Sequence, residues 1–391
     1  MSIYGSSKQF ELDGADEQLN CSIAHLKNSV PENGYVSAGK SEGYIYSWPR
    51  DSSIIARVLD DVGQLINDTS LNALAKNICY GLKMTQSQEG WWHQRYWPDG
   101  TVGPNWADIQ KDQTALAIIA ITDHYKHTDS IEFLNDMWGT VKNAADFLLL
   151  EGPSFDLWEE VLCNGHYFTT QSIIRALRDA SYLAETLNHT EKMKSYREEV
   201  SRLEKSLGCF INNGSISCSV GEKIMTLSSN KENTDASIIG AHVLFDGKYI
   251  NNPLIKKTSS VLVQRSSESF NINEGIDSVG IMRYGGDDYD GFEKGSQGNP
   301  WNITTLWMAQ KEYMSGNLSG GDNFFNWVLK YMPKDGTLPE QVHRDTGKPH
   351  GEKNLMWSHA EYIKTYFSRM ELGKNINENH YALADNNRID N

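Results

Sequence analysis

Apolar side chains recur along most of this 391-residue chain at the three- and four-residue spacing of amphipathic helices. Between residues 52 and 66, for example, one helical face would carry Ile54, Ile55, Val58, Leu59 and Val62. The same spacing predicts a series of helices along the chain. They cover residues 16–29, 52–66, 70–86, 113–126, 131–150, 169–187, 191–207, 235–245, 254–264, 301–315, 321–332 and 355–371.

Two of these helices carry further expectations. The helix over 169–187 begins at Thr169, a residue type whose hydroxyl oxygen caps helix N-termini. Within 254–264, the run Val261-Leu262-Val263 would also suit a β-strand. Few other segments alternate with period two, so the pattern does not favour a parallel sheet.

Long loops rich in aromatic side chains and glycine separate the predicted helices. Loops of this length are uncommon in compact domains unless they carry function. No proline- or serine-rich linker divides the chain. We therefore expect one all-α domain over residues 1–391, with functional loops at 34–51, 87–112, 151–168, 270–300 and 333–354.

The charge balance narrows the set of partners. The chain has 36 Lys and Arg against 51 Asp and Glu, a formal net charge of −15. Such a surface repels phosphate backbones and anionic lipids, so we expect neither nucleic-acid nor membrane partners. The 11 Trp and 18 Tyr residues would fill a core, but aromatic rings also stack on sugars. Composition alone does not separate these two uses.

The N-terminal residues show no positively charged segment followed by an apolar run, and no stretch is long and apolar enough to span a membrane. We therefore expect a cytoplasmic protein. The 5 cysteines form no Cys-x-x-Cys pair, which argues against a structural zinc site or a dense disulfide framework. Cys209 and Cys218 are close enough in sequence to form one disulfide in an oxidising compartment.

Residues 34–41, Gly-Tyr-Val-Ser-Ala-Gly-Lys-Ser, match the phosphate-loop pattern G-x-x-x-x-G-K-[ST]. A phosphate loop needs a strand before it and a helix that begins at the Lys-Ser pair. Neither flanking segment has this character, so we interpret the match as coincidental.

Metal binding finds equally little support in the sequence. The acidic stretch 287–293 is rich enough in carboxylates for calcium but lacks a complete ligand loop, so we expect it to be solvated beside Arg283. The histidines at 343, 350 and 359 do not form a His-Glu-x-x-His motif. We expect neither a metal nor another cofactor.

Two loops place glutamates beside apolar side chains. Glu159 and Glu160 follow Trp158, and Glu340 follows Pro339. Apolar neighbours desolvate a carboxyl group and raise its pKa, as a general acid requires. Hydrolysis of an acetal needs two such groups, one to protonate the leaving oxygen and one to activate water. The spacing alone is equally compatible with solvated loop acids.

Five segments, taken in chain order, resemble the catalytic domain of glycoside hydrolase family 15, the glucoamylases. Their combination over residues 40–371 is far more specific than any one of them. The segments are Tyr-Ile-Tyr-Ser-Trp-Pro-Arg-Asp at 44–51, Trp106 with Gln-Lys-Asp-Gln-Thr-Ala-Leu at 110–116, Asp-Leu-Trp-Glu-Glu-Val at 156–161, Arg-Tyr at 283–284 with Gly-Asn-Pro-Trp at 298–301, and Leu-Pro-Glu-Gln at 338–341 with Leu-Met-Trp-Ser-His-Ala at 355–360.

The resemblance implies an (α/α)6 barrel of six inner and six outer helices, which agrees with the helices predicted from periodicity. It implies an inverting, exo-acting hydrolase that releases β-D-glucose from the non-reducing ends of malto-oligosaccharides or starch, a glucan 1,4-α-glucosidase without a separate starch-binding domain. One alternative is an α,α-trehalase or an α-1,6-preferring glucosidase of the same family. A non-catalytic glucoamylase-like carbohydrate-binding module is a further alternative, although both catalytic glutamates are present.

The resemblance also implies roles for individual residues. Glu159 would be the general acid, with a raised pKa, and Glu340 the general base. Inversion requires their carboxyl groups to lie about 6.5–9.5 Å apart, which leaves room for water. The residues that would bind the glucoside are Tyr44, Trp48, Arg50, Asp51, Trp106, Leu157 through its carbonyl, Trp158, Glu160, Arg283 and Trp357.

Overall fold

The computed structural model describes residues 12–389 apart from 229–230, 246 and 276–277. Within these residues each range predicted to be helical coincides with one α-helix. The helices are α1 (Ala15–Ser29), α2 (Pro49–Ile66), α3 (Thr69–Thr85), α4 (Lys111–Thr128), α5 (Ile131–Leu148), α6 (Tyr167–Thr186), α7 (Thr190–Ser206), α8 (Ser237–Leu244), α9 (Pro253–Ser269), α10 (Asn302–Met314), α11 (Leu318–Tyr331) and α12 (Met356–Ile389).

The helices form two concentric rings. Helices α2, α4, α6, α8, α10 and α12 follow one another around the inner ring, and α12 packs against α2 to close it. Helices α3, α5, α7, α9 and α11 each pack against the inner helix that precedes them, and α1 packs against α12. This arrangement is an (α/α)6 barrel, which confirms the predicted fold.

Burial separates the inner from the outer helices. Inner helix α8 buries every residue except Val243, whereas outer helix α7 buries only Tyr196 and Val200. A helix that is buried all round must be apolar or hydrogen-bonded all round, while an outer helix needs only one apolar stripe. The hydrophobic core therefore lies between the two rings and within the inner one.

Short antiparallel strands occupy the connections. β1 (Ser154–Phe155), β2 (Val161–His166) and β5 (Ser219–Thr226) form one sheet in the order β1-β2-β5. Two-stranded sheets join β3 (Ile211–Asn212) to β4 (Ser215–Ile216) and β6 (Gln341–Val342) to β7 (Pro349–His350). Single 3-10 turns lie at Leu207–Phe210, Gly247–Tyr249 and Asn271–Asn273.

One local prediction was wrong. Helix α6 begins at Tyr167, so Thr169 is not its cap. Strand β2 runs directly into this helix, and the Tyr167 N–H donates to the Cys218 carbonyl at 2.8 Å. The helix predicted over 254–264 is confirmed. The run Val261-Leu262-Val263 lies inside helix α9 and does not form the alternative strand, because Ile255, Thr258, Leu262 and Ser266 are buried at helical spacing.

Other expectations concern covalent and membrane features. Cys209 is exposed and Cys218 is buried, and both are free thiols, so they do not form the disulfide that their spacing allowed. Over the part of the chain that the structure describes, no helix is long and apolar enough to cross a membrane.

Candidate active site

A cavity of about 420 Å³ lies where the loops converge on the N-terminal ends of the inner helices. Each loop leads into an inner helix: the loop with Trp48 precedes α2, that with Trp106 precedes α4, that with Arg283 precedes α10 and that with Glu340 precedes α12. The barrel thus brings together segments far apart in sequence. The cavity is lined by all twelve predicted site residues, Tyr44, Trp48, Arg50, Asp51, Trp106, Leu157, Trp158, Glu159, Glu160, Arg283, Glu340 and Trp357.

A tight turn presents Glu159 to the cavity. The Asp156 carboxylate accepts the N–H groups of Glu160 at 2.7 Å and Val161 at 2.9 Å, and its carbonyl accepts the Glu159 N–H at 2.9 Å. These bonds hold Glu159 in the left-handed region, at φ 63°. A glutamate rarely adopts this conformation, and residues held in it cluster at functional sites.

Three donors hold the Glu159 carboxyl group. Its Oε1 accepts from Arg50 Nη1 at 3.3 Å and from Gln110 Nε2 at 3.2 Å. Its Oε2 accepts from Gln94, whose own Oε1 accepts the N–H of Trp106. Burial raises the pKa of Glu159 above its usual range despite these donors, as expected for a general acid.

Fewer hydrogen bonds hold the carboxyl group of Glu340. Its N–H donates to the carbonyl of Glu352 at 2.7 Å, and Tyr44 donates its hydroxyl to Oε1. Oε2 is buried and has no hydrogen-bond partner among the described residues. A β-carbon at Gly351 would lie 2.3 Å from this oxygen, so only glycine leaves room for it. Burial raises the pKa of Glu340 to about 8, which the hydrogen bond from Tyr44 opposes.

The phosphate-loop match at 34–41 contributes to the same wall of the cavity. The buried Glu352 carboxylate accepts the N–H groups of Lys40 at 3.4 Å and Ser41 at 3.1 Å. A carboxylate therefore occupies the backbone donors that a phosphate would need. This contact gives the physical reason why the match is coincidental.

The Glu160 carboxylate accepts hydrogen bonds from a different set of side chains. Arg283 Nη2 donates to its Oε1 at 3.1 Å, and Tyr284 donates its hydroxyl to Oε2. Burial alone would raise the pKa of Glu160, but the charge of Arg283 holds it below its usual range. Arg283 also binds both oxygens of Asp287, at 2.6 and 2.8 Å. Asp287 is buried in this contact, so the prediction of a solvated loop was wrong for it.

A buried lysine lies behind these glutamates. Lys231 Nζ lies 2.6 Å from Asp156, which forms the Glu159 turn, and 3.1 Å from Asp235. Asp235 accepts the indole N–H of Trp158 at 2.9 Å. The ammonium also lies 4.1 Å from the ring centroid of Tyr284. Burial opposes its charge, but the two carboxylates raise the pKa of Lys231 well above its usual value.

Arg50 and Asp51 were both predicted to bind the glucoside. Both line the cavity, but Arg50 Nε donates to Asp112 at 2.9 Å and Nη2 donates to Gln110. Burial raises the pKa of Asp51 to about 7, against the opposing charge of Arg50.

The family-model comparison decides the class of protein. A model described as glycosyl hydrolases family 15 matches residues 15–317 and 318–367. The chain belongs to glycoside hydrolase family 15. It is 28% identical over 355 residues to an uncharacterized glycosyl hydrolase of Methanocaldococcus jannaschii, a match that covers 85% of this chain and 52% of that relative. The chain thus spans about half the length of that protein.

Glucoamylases are among the other relatives of this family 15 chain. It is 26% identical over 446 residues to glucoamylase P of Amorphotheca resinae, a match that covers 93% of this chain and 69% of that protein. Among solved structures, the glucoamylase from Saccharomycopsis fibuligera superposes with a TM-score of 0.82 at 19% identity, over 95% of this chain and 99% of that one. These relationships support a glucoamylase-like hydrolase of family 15.

The aromatic residues of this family 15 site divide into two groups. Trp48, Trp158 and Trp357 are buried, whereas Trp106 is 48% exposed and therefore lies at the mouth. The guanidinium carbon of Arg95 lies 4.6 Å from the ring centroid of Trp106. The cavity thus changes from an enclosed end to an exposed, aromatic mouth.

Sequence reasoning did not select several residues of this family 15 site. Gln94 and Gln110 bind Glu159, Lys231 lies behind it, and Arg95 and Lys294 line the cavity. Each is a single polar residue in a loop, and no spacing rule connects it to its partner. Among the described residues no group of three or more His, Cys, Asp or Glu side chains is arranged to hold a metal ion.

Proposed function

We propose that this chain is an inverting, exo-acting glucan 1,4-α-glucosidase that releases β-D-glucose from the non-reducing ends of malto-oligosaccharides or starch. The observation that carries this proposal is the placement of two buried carboxyl groups, Glu159 and Glu340, on one sugar-sized cavity. Inverting glycosidases use one carboxyl group as acid and the other as base. A cavity, unlike an open groove, favours attack on a chain end.

In the proposed reaction Glu159 acts as the general acid. It donates its proton to the glycosidic oxygen as the bond from that oxygen to the anomeric carbon breaks, and the sugar leaves as an alcohol. The raised pKa of Glu159 supports this role, because the group must be protonated at the start. Arg50, Gln94 and Gln110 fix the direction of its carboxyl group.

Glu340 acts as the general base. Its Oε2, which has no hydrogen-bond partner among the described residues, accepts a proton from water while the water oxygen bonds to the anomeric carbon. Attack from the face opposite the leaving oxygen inverts the anomeric configuration. This requires the carboxyl separation of about 6.5–9.5 Å that is typical of inverting enzymes, which leaves room for the attacking water. Glu340 must be ionised, so activity should fall as the pH drops through its pKa.

The remaining predicted residues would bind the glucose unit. Arg50, Asp51, Glu160, Arg283 and the Leu157 carbonyl offer hydrogen bonds to hydroxyl groups. Apolar ring faces would come from Tyr44, Trp48, Trp106, Trp158 and Trp357.

A substrate panel tests the proposal. Purified protein would be incubated with maltose, soluble starch, isomaltose and trehalose, and released glucose would be quantified. We expect the highest kcat/KM on the α-1,4-linked substrates and almost no release by Glu159→Gln or Glu340→Gln. A preference for trehalose or isomaltose would contradict the proposed specificity for α-1,4 linkages. If no substrate released glucose, the proposed α-glucosidase activity would be wrong.

A further inference from the structure

The loop between Arg283 and α10 folds into a hairpin over the cavity. The N–H groups of Gly298, Ser296 and Asp290 donate to the carbonyls of Asp287, Asp288 and Glu293 at 2.9, 3.0 and 3.2 Å, a ladder that we call the 287–298 hairpin. Tyr289 pairs directly with Lys294 across it. Directly paired residues of antiparallel strands project to the same face, and both side chains line the cavity.

These two side chains reach opposite walls. The Tyr289 hydroxyl lies 3.2 Å from that of Tyr44, which donates to Glu340. Lys294 Nζ lies 3.4 Å from Oε1 of Glu160, beside the proposed acid. The hairpin therefore spans the gap between the two proposed catalytic residues, where the scissile bond would lie.

The exposure of the lining residues gives the cavity a direction. Asp51 and Leu157 are buried, which marks the closed end where the glucose to be released would sit. The Lys294 side chain is 40% exposed and Trp106 is 48% exposed, so both lie toward the mouth. A sugar that extends from the scissile bond to the mouth would pass them.

The ammonium group of Lys294 has N–H donors that are available to a substrate, because other residues already satisfy Glu160. Glu160 already accepts from Arg283 and Tyr284. An ammonium group carries three donors, and the contact with Glu160 is an ion pair at 3.4 Å.

We propose that Lys294 is a specificity-determining residue that donates hydrogen bonds to hydroxyl groups of the leaving sugar. This inference rests on the proposed function and extends it to the second sugar. It predicts that the 287–298 hairpin makes the enzyme select a sugar over an aromatic leaving group.

The test compares Lys294→Met with wild type on maltose and on 4-nitrophenyl α-glucoside. Both substrates present the same glucose, but the aryl group has no hydroxyl to receive the ammonium donors. A hydrogen bond to a charged donor corresponds to a loss of about 10- to 100-fold. We expect such a loss in kcat/KM for maltose, mainly through KM, and less than about a twofold change for the aryl glucoside. Lys294→Arg should retain most of the maltose activity.

Two controls separate direct contact from other effects. Lys330→Met makes the same change on the surface of α11 and should change neither substrate. In a Glu160→Gln background the maltose loss caused by Lys294→Met should persist, because the contact is with the sugar. Its disappearance there would show that Lys294 acts only through Glu160 and would overturn the proposal.

Any other pattern across the two substrates, including equal losses or no loss, would also overturn it while leaving the proposed function intact. A wild-type protein that is inactive on both substrates would instead overturn the proposed function, and this inference with it.

Discussion

The two walls of the cavity hold their carboxyl groups in different ways. On the Glu159 wall, both carboxyl oxygens accept hydrogen bonds, and the turn beneath is fixed by Asp156 and the buried Lys231. On the Glu340 wall, Tyr44 is the donor to one oxygen, while the other faces Gly351 without a partner among the described residues. The difference matches the two tasks, because an acid must be aimed at one oxygen whereas a base must leave an oxygen available for water.

The largest expected effect distinguishes the two roles by leaving group. Glu159→Gln and Glu340→Gln should each reduce kcat on maltose by about 10³-fold. A 4-nitrophenyl leaving group needs little protonation. On 4-nitrophenyl α-glucoside we therefore expect the kcat of Glu159→Gln to fall much less than on maltose. The kcat of Glu340→Gln should fall as much on this substrate as on maltose. Steady-state kinetics on both substrates checks this. The opposite pattern would exchange the roles.

The next effect concerns the support beneath the Glu159 wall. Lys231→Met leaves Asp156 and Asp235 as buried carboxylates without their cation, which costs about 3–5 kcal/mol of unfolding free energy. Urea denaturation measures this cost. Lys231→Arg should recover part of it, and Lys223→Met on exposed β5 should stay within about 0.5 kcal/mol of wild type. An equally small effect of Lys231→Met would contradict the inference that Lys231 stabilises the buried carboxylates of Asp156 and Asp235.

Filling the space beside the Glu340 carboxylate should have a smaller effect on activity. Gly351→Ala places a methyl group against Oε2 at a residue with φ 67°. We expect kcat/KM to fall about 30-fold, which corresponds to about 2 kcal/mol of overpacking. Gly316→Ala is the matched control, because its φ is 85° but no atom of the residues that the structure describes lies within 4 Å of the added carbon. If both variants lose activity equally, backbone strain rather than the carboxylate is responsible.

The smallest effect is a shift in pH dependence. Tyr44 donates to Glu340 and so lowers its pKa, which burial raises to about 8. The base works ionised, so activity falls as pH decreases through this pKa. Tyr44→Phe removes the donor and should move the acidic limb of kcat/KM to higher pH. A limb that moves to lower pH, or does not move, would contradict Glu340 as the group that titrates there.

Elements that local apolar spacing determines could be predicted from the sequence, whereas elements that tertiary contacts determine could not. Helices α1 to α12 follow from apolar spacing, because each buries one face or more in a two-ring barrel. Strands β2 and β5 were not predicted, because register shifts interrupt their pairing and β5 is largely exposed. Thr169 failed as a cap because the tertiary contact of Tyr167 decides where α6 begins.

At the site, the family-like segments supplied the twelve residues that were given a role, and all twelve line one cavity. The residues that tune them were not. Lys231 reaches Asp156 across 75 sequence positions, and Gln94 reaches Glu159 across 65. Contacts of this range depend on how the barrel closes, and neither residue type nor local spacing signals them.

The anomeric configuration of the first glucose released from maltose tests the central claim most directly. Proton NMR follows it within the first minutes, before mutarotation equilibrates the anomers. A fixed acid at Glu159 and a water-activating base at Glu340 predict β-glucose as the initial product. Initial α-glucose would show retention of configuration and would contradict the assignment of Glu340 as the base that activates water.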